Sequence, residues 1–147
     1  MTEFADTVSD YQQAYKDFML AIQNIKASDR FKGGVCGTWS PKQVIDHLVA
    51  WNKEALSDFR KIRAGESINL DYDDDVFNAR AVAERSQLTW EMTLFDIEDA
   101  RTKLIDFVIR LTAYDLANSK VYGDWVKGIT DDFQLHREQI QLWVTEE

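Results

Sequence analysis

Apolar residues recur along this chain at helical spacing with few interruptions. Near the start, Phe4, Val8, Tyr11, Tyr15, Phe18, Ile22 and Ile25 follow one another at alternating steps of four and three. That rhythm lays one stripe along a helix, predicted over about Glu3 to Lys26, and a stripe of this kind suits helix-on-helix packing. A loop from Ala27 to Trp39 follows and contains Gly33, Gly34 and Gly37. It lacks the spacing of a nucleotide-binding glycine motif and follows a helix rather than a strand, so it reads as a connection.

The second helix has a sharp predicted start. Ser40 caps it, Pro41 suits the first helical position, and Gln43 completes a capping box. Its stripe is Val44, Leu48, Trp51, Ala55, Phe59 and Ile62, and Gly65 ends it. The acidic run in Ser67 to Asp75 places aspartates at alternate positions, as a calcium loop does. It has Val76 where that loop needs glycine and Val82 where it needs a bidentate glutamate, so the aspartates are expected to cap the next helix instead. A shorter helix is predicted over Asp75 to Arg85. Thr89 then opens a long one to about Leu111, with Trp90, Leu94, Ile97, Leu104, Val108 and Leu111 inward; the two pieces read equally as one kinked helix. A linker from Thr112 to Asp124 contains Gly123. The last helix, about Asp124 to Thr145, turns Val126, Ile129, Phe133, Ile140 and Trp143 inward. No repeat, low-complexity tract or boundary divides residues 1–147. The expectation is a single all-α domain, an antiparallel four-helix bundle with an extra short helix before the third long one.

Composition narrows the partners. One proline and six glycines leave few breakers, which favours long helices over a many-stranded fold. With 26 acidic and 17 basic side chains the net charge is −9, and no Lys/Arg cluster stands out. A phosphate-neutralising face needs such a cluster, so neither nucleic acid nor an anionic membrane is expected as a partner. A single cysteine, Cys36, forms no internal disulfide and fits a reducing compartment. No apolar run reaches membrane-spanning length, and the acidic start lacks the pattern of a signal peptide. A cytoplasmic protein is expected.

The chain has two histidines, and both fall on apolar stripes. His47 sits between Val44 and Trp51, and His136 between Phe133 and Ile140, each at spacings of three and four. Inward histidines from separate helices converge inside a bundle as metal ligands do. Asp132, one turn before His136, supplies a third ligand, with Asp131 and Glu54 in reserve. Two imidazoles and a carboxylate suit Zn, Ni, Fe or Mn. Against this stands a plainer reading, in which each histidine is a core residue satisfied by a hydrogen bond.

The string GTWSPKQVIDHLVAWN resembles the second-helix signature of the DinB-like, or YfiT-like, superfamily, through Trp39, Ser40, His47 and Trp51. The stretch beginning DDDVFNAR, with Phe77 and Asn78, is similar to that group's third-helix region, and TDDFQLHREQIQLWV to its fourth-helix segment. The resemblance covers most of the chain from Gly37 onward. It implies a bundle with up-down-down-up helix order and a metal site of three histidines. His47 matches the first of these and His136 the last. The middle position falls on Asp132, a departure that makes the aspartate either a carboxylate ligand or the mark of a decayed site. The resemblance also implies a metal-dependent transferase or isomerase using a low-molecular-weight thiol, or a hydrolase, acting on a small molecule. Trp39, Trp51, Asn78 and Trp143 are the expected pocket residues, and aromatic helix faces make a homodimer the expected assembly. The alternative is a metal-free bundle with a small-ligand-binding, stress or toxin-resistance role. Cys36 as a nucleophile is disfavoured, since nothing beside it lowers its pKa.

Overall fold

The computed structural model describes residues 2–146, apart from the side chain of Thr2. Six α-helices make up these residues: α1 (Thr2–Gln23), α2 (Pro41–Arg63), α3 (Asp74–Glu84), α4 (Trp90–Val108), α5 (Ala113–Asn118) and α6 (Val121–Glu146), with a 3-10 turn at Ala27–Asp29. No strand occurs among them; one isolated bridge joins Cys36 to Trp39. No helix is long and apolar enough to cross a membrane.

The predicted stripes become a common core. Tyr11, Phe18, Val44, Leu48, Phe59, Ile97, Leu104, Ile129, Phe133 and Ile140 are all buried, drawn from α1, α2, α4 and α6. Helix α1 lies chiefly along α6, and α2 along α4, while α2 also meets α6. Phe133 of α6 takes the edges of Tyr11 and Tyr15 and the tilted ring of Phe18, all three from α1. Such aromatic pairs add to the burial that holds the two helices together. The Tyr11 hydroxyl donates to Asn52 on α2, whose amide donates to the Leu48 carbonyl at 2.7 Å.

A second, polar tie fixes the short helix α3. Asp46, fully buried on α2, accepts from Lys42 at 2.8 Å, from Arg85 at 3.1 Å and from the Thr93 hydroxyl. Arg85 reaches on to Asp96 of α4 at 2.8 Å, and Lys42 donates to the Arg85 carbonyl at 2.7 Å. Arg85 is the C-cap of α3, so this cluster clamps the end of α3 against α2 and α4. Every charge in it is paired, the condition under which buried ions are tolerated.

The capping chemistry largely follows the sequence. Ser40 and Gln43 form the capping box, and the Asp73 side chain accepts from the Val76 amide, as expected of the acidic run. Thr89 caps α4, as its sequence predicts, and α3 and α4 are two separate helices. Two boundaries differ. The expected linker after Leu111 holds α5, because Thr112 and Asp115 form a second capping box that no apolar stripe announces. Helix α6 starts at Val121 and runs through Gly123. There Tyr122 is buried against Phe59, with ring centroids 5.1 Å apart, and that packing outweighs glycine's weak helix propensity.

Candidate functional site

His47 lies two turns into α2, on a face whose register is set by the Ser40 cap. Its ring is buried, with 4% exposed, and packs against Trp39 at 5.1 Å between centroids. Its Nδ1 lies 2.8 Å from Oδ1 of Asn78 on α3. The Trp51 indole N–H donates to that same oxygen at 2.7 Å. An indole nitrogen only donates, so the Asn78 atom facing it is the carbonyl oxygen. His47 therefore carries its proton on Nδ1, and its Nε2 presents a lone pair.

That lone pair points at the second histidine. His136, 4% exposed on α6, places its Nε2 3.1 Å from the Nε2 of His47, with the rings edge to face. The Nδ1 of His136 meets Oε1 of Gln139, one turn on, at 2.7 Å. With the Gln139 amide in this orientation both Nδ1 atoms donate outward, and two lone pairs face each other across a buried gap. Asp132 extends Oδ2 to 3.9 Å from the Nε2 of His47. One ligand-type atom from each of His47, Asp132 and His136 lies within 4.8 Å of the others. Two imidazole nitrogens bonded to one ion at about 2.1 Å stand roughly 3.4 Å apart at a tetrahedral angle, about 0.3 Å more than the observed 3.1 Å. The donor set thus fits a divalent cation.

The electrostatics agree with neutral imidazoles. Burial pushes His47 down to about 4, the facing His136 adds to this, and the Asn78 hydrogen bond opposes it. Burial also lowers His136, against the Gln139 hydrogen bond and the charge of Asp132. Asp132 moves upward, chiefly through burial, with Asp74 and Asp131 adding repulsion and His136 opposing it.

A cavity of about 500 Å³ opens beside the three residues. His47, Asp132, Trp51 and Asn78 line it, as do Tyr72 and Trp125. The other expected pocket residues lie elsewhere. Trp39 packs against the His47 ring, and the Trp143 indole is beside Gly34 in the loop after α1, neither lining this cavity. The reserve carboxylates do not join the cluster. Asp131 is exposed on the neighbouring face of α6, and Glu54 accepts from the Tyr72 hydroxyl at 2.9 Å. Sequence reasoning missed Gln139 and Trp125. Helical spacing held the signal for both, since Gln139 is one turn beyond His136 and Trp125 two turns before Asp132.

No protein-family profile matches the chain, and no curated protein matches it in sequence. Solved structures do match in fold. An uncharacterised protein from Escherichia coli UTI89 superposes with a TM-score of 0.83 at 11% identity, covering 97% of this chain and 93% of that one. A protein from Streptococcus pneumoniae gives 0.75 at 12% identity, covering 97% and 90%. The colibactin self-resistance protein ClbS, solved in complex with a dsDNA, gives 0.78 at 11% identity, covering 94% and 93%. The last of these corrects one expectation. Net charge excluded nucleic acid as a partner, yet a protein with this helical fold is held in a complex with duplex DNA. A bulk sum of charges says nothing about the local surface that meets phosphate, so the exclusion does not stand. At these identities the likeness establishes a shared all-helical fold, and function has to be argued from the site.

Proposed function

We propose that the chain is a single DinB-like domain, an up-down-down-up four-helix bundle, whose His47, Asp132 and His136 hold a divalent metal, Zn, Ni, Fe or Mn. One observation carries this reading: two buried imidazole Nε2 atoms face each other at 3.1 Å while both Nδ1 atoms are committed to amide oxygens. A metal bound there supplies a Lewis acid that lowers the pKa of a water or thiol at neutral pH. The chain's own residues do the rest. Asn78, fixed by Trp51, holds His47 in the tautomer that ligates, and Gln139 does the same for His136. Trp39 packs its ring against that of His47. The adjoining cavity admits a small molecule to the open side. Metal-dependent hydrolysis of a small molecule is favoured over thiol transfer, because Asp74, Asp124 and Asp132 line the cavity without a basic residue to receive an anionic thiol cofactor. A homodimer belongs to the same reading, with light scattering as its check.

The test is elemental analysis of the purified protein. Wild type is expected to take up about one equivalent of metal, and His47→Ala to take up none; a metal-free wild type after exposure to all four ions refutes the reading. Loss of metal in Asp132→Ala places Asp132 among the ligands.

A second reading has a specific observation behind it. Turning the Gln139 amide half round would make it a donor to Nδ1 of His136, so that His136 donates through Nε2 to His47. The pair is then satisfied without metal, and a ligand-binding or resistance role follows, in line with the self-resistance protein among the structural neighbours.

A further inference from the structure

The cavity beside His47 has a composition that selects its organic occupant. Three aromatic rings form one corner of it. Trp51 and Tyr72 meet at 5.3 Å between centroids, Trp51 and Trp125 at 5.7 Å, and Tyr72 and Trp125 at 5.8 Å. Asp74, Asp124 and Asp132 line the same space, and no Lys or Arg does. The Arg80 guanidinium lies 5.8 Å over the Phe77 ring and is not part of the lining. Aromatic faces carry the negative lobe of the ring quadrupole and attract cations. Carboxylates beside low-dielectric walls reinforce that attraction.

The corner is held in place rather than assembled by chance. Tyr72 belongs to the connection between α2 and α3, and its hydroxyl is tied to two carboxylates of α2, Glu54 at 2.9 Å and Asp58 at 2.8 Å. Trp51 is pinned by its hydrogen bond to Asn78 and by Phe77, whose ring lies 4.0 Å away. On the α6 side, Gly128 leaves the cavity wall open, since a Cβ there would meet nothing within 4 Å. A preorganised aromatic wall with acidic neighbours and room beside it recognises an ammonium group attached to a small apolar body.

We propose that this cavity binds a small organic ammonium cation, its charge against the Trp51, Tyr72 and Trp125 corner and balanced by Asp74 and Asp124. This rests on the reading above only in taking the cavity as the substrate chamber of that site; binding of the cation does not require the metal.

Calorimetry of the wild-type protein with choline, its neutral carbon isostere dimethylbutanol, and glutathione tests it, each titration run once in EDTA and once with zinc. Choline is expected to bind about tenfold more tightly than the isostere, glutathione more weakly than either, and the order to be the same in EDTA. Trp125→Ala and Gly128→Leu should each weaken choline about tenfold and leave zinc uptake unchanged. The nearly isosteric Asp124→Asn should weaken choline about threefold without changing dimethylbutanol, which guards against a mere folding defect. Equal affinity for choline and its isostere, glutathione binding as tightly as choline, or no binding of choline at all overturns the proposal. Retained choline preference in a protein that takes up no zinc supports this proposal and refutes the metal reading alone.

Discussion

At the scale of the residue, Asn78 sets the chemistry of the histidine pair. It touches no other member of the cluster than His47, yet its oxygen decides which imidazole nitrogen is free. Because Trp51 donates to the same oxygen, the amide cannot rotate without losing a buried hydrogen bond. Replacing Asn78 by Ala frees His47 to adopt the other tautomer or a turned ring. If the three residues hold a metal, Asn78→Ala should weaken zinc about tenfold to a hundredfold, measured by competition with a chromogenic chelator, while Asn78→Asp should retain binding because a carboxylate also accepts from both donors. Unchanged affinity in Asn78→Ala would show that the tautomer is fixed by something else.

At the scale of the element, the sequence disclosed more of the helices than of their joints. The stripes of α1, α2, α4 and α6 were legible because a buried face must repeat every three or four residues. His47 and His136 were legible for the same reason, as polar residues in apolar registers. Helix α5 was not, since only Leu116 of its residues packs against the core and its start is set by the Thr112 capping box. The start of α6 was hidden behind Gly123, whose weak propensity is overridden by the packing of Tyr122, a contact 63 residues distant in sequence from Phe59. Nor did any local pattern show that Arg85 would close α3 onto Asp46 and Asp96. That clamp positions α3, and with it Asn78. Arg85→Ala leaves Asp46 buried with Lys42 as its remaining ionic partner, and should cost about 3 kcal/mol of stability, the lower end for breaking a buried pair. Denaturant unfolding measures it, and a loss near zero would mean that the cluster is not what holds α3.

At the scale of the whole molecule, the buried pair makes stability depend on pH in a direction the shifts determine. His47 falls from the unfolded value of 6.5 to about 4 in the fold, and His136 shifts the same way. Between those values the unfolded chain binds protons that the folded one refuses, so stability rises with pH across the window. The contribution is fully present above about 6.5 and is lost as pH falls towards 4. Asp132 acts with the opposite sign: its folded pKa is raised, so its contribution is lost as pH rises through that value. Other carboxylates also titrate in acid, which makes the comparison with a variant the informative quantity. In EDTA, wild type should lose more stability between pH 7 and pH 5 than His47→Gln, because glutamine keeps polarity but binds no proton. If the three residues hold a metal, zinc should enlarge the wild-type loss, since protons that fill Nε2 would displace the ion and remove its mass-action stabilisation. Parallel unfolding curves for the two proteins, with and without zinc, would mean that the facing nitrogens at 3.1 Å share a proton already and that no ion belongs between them.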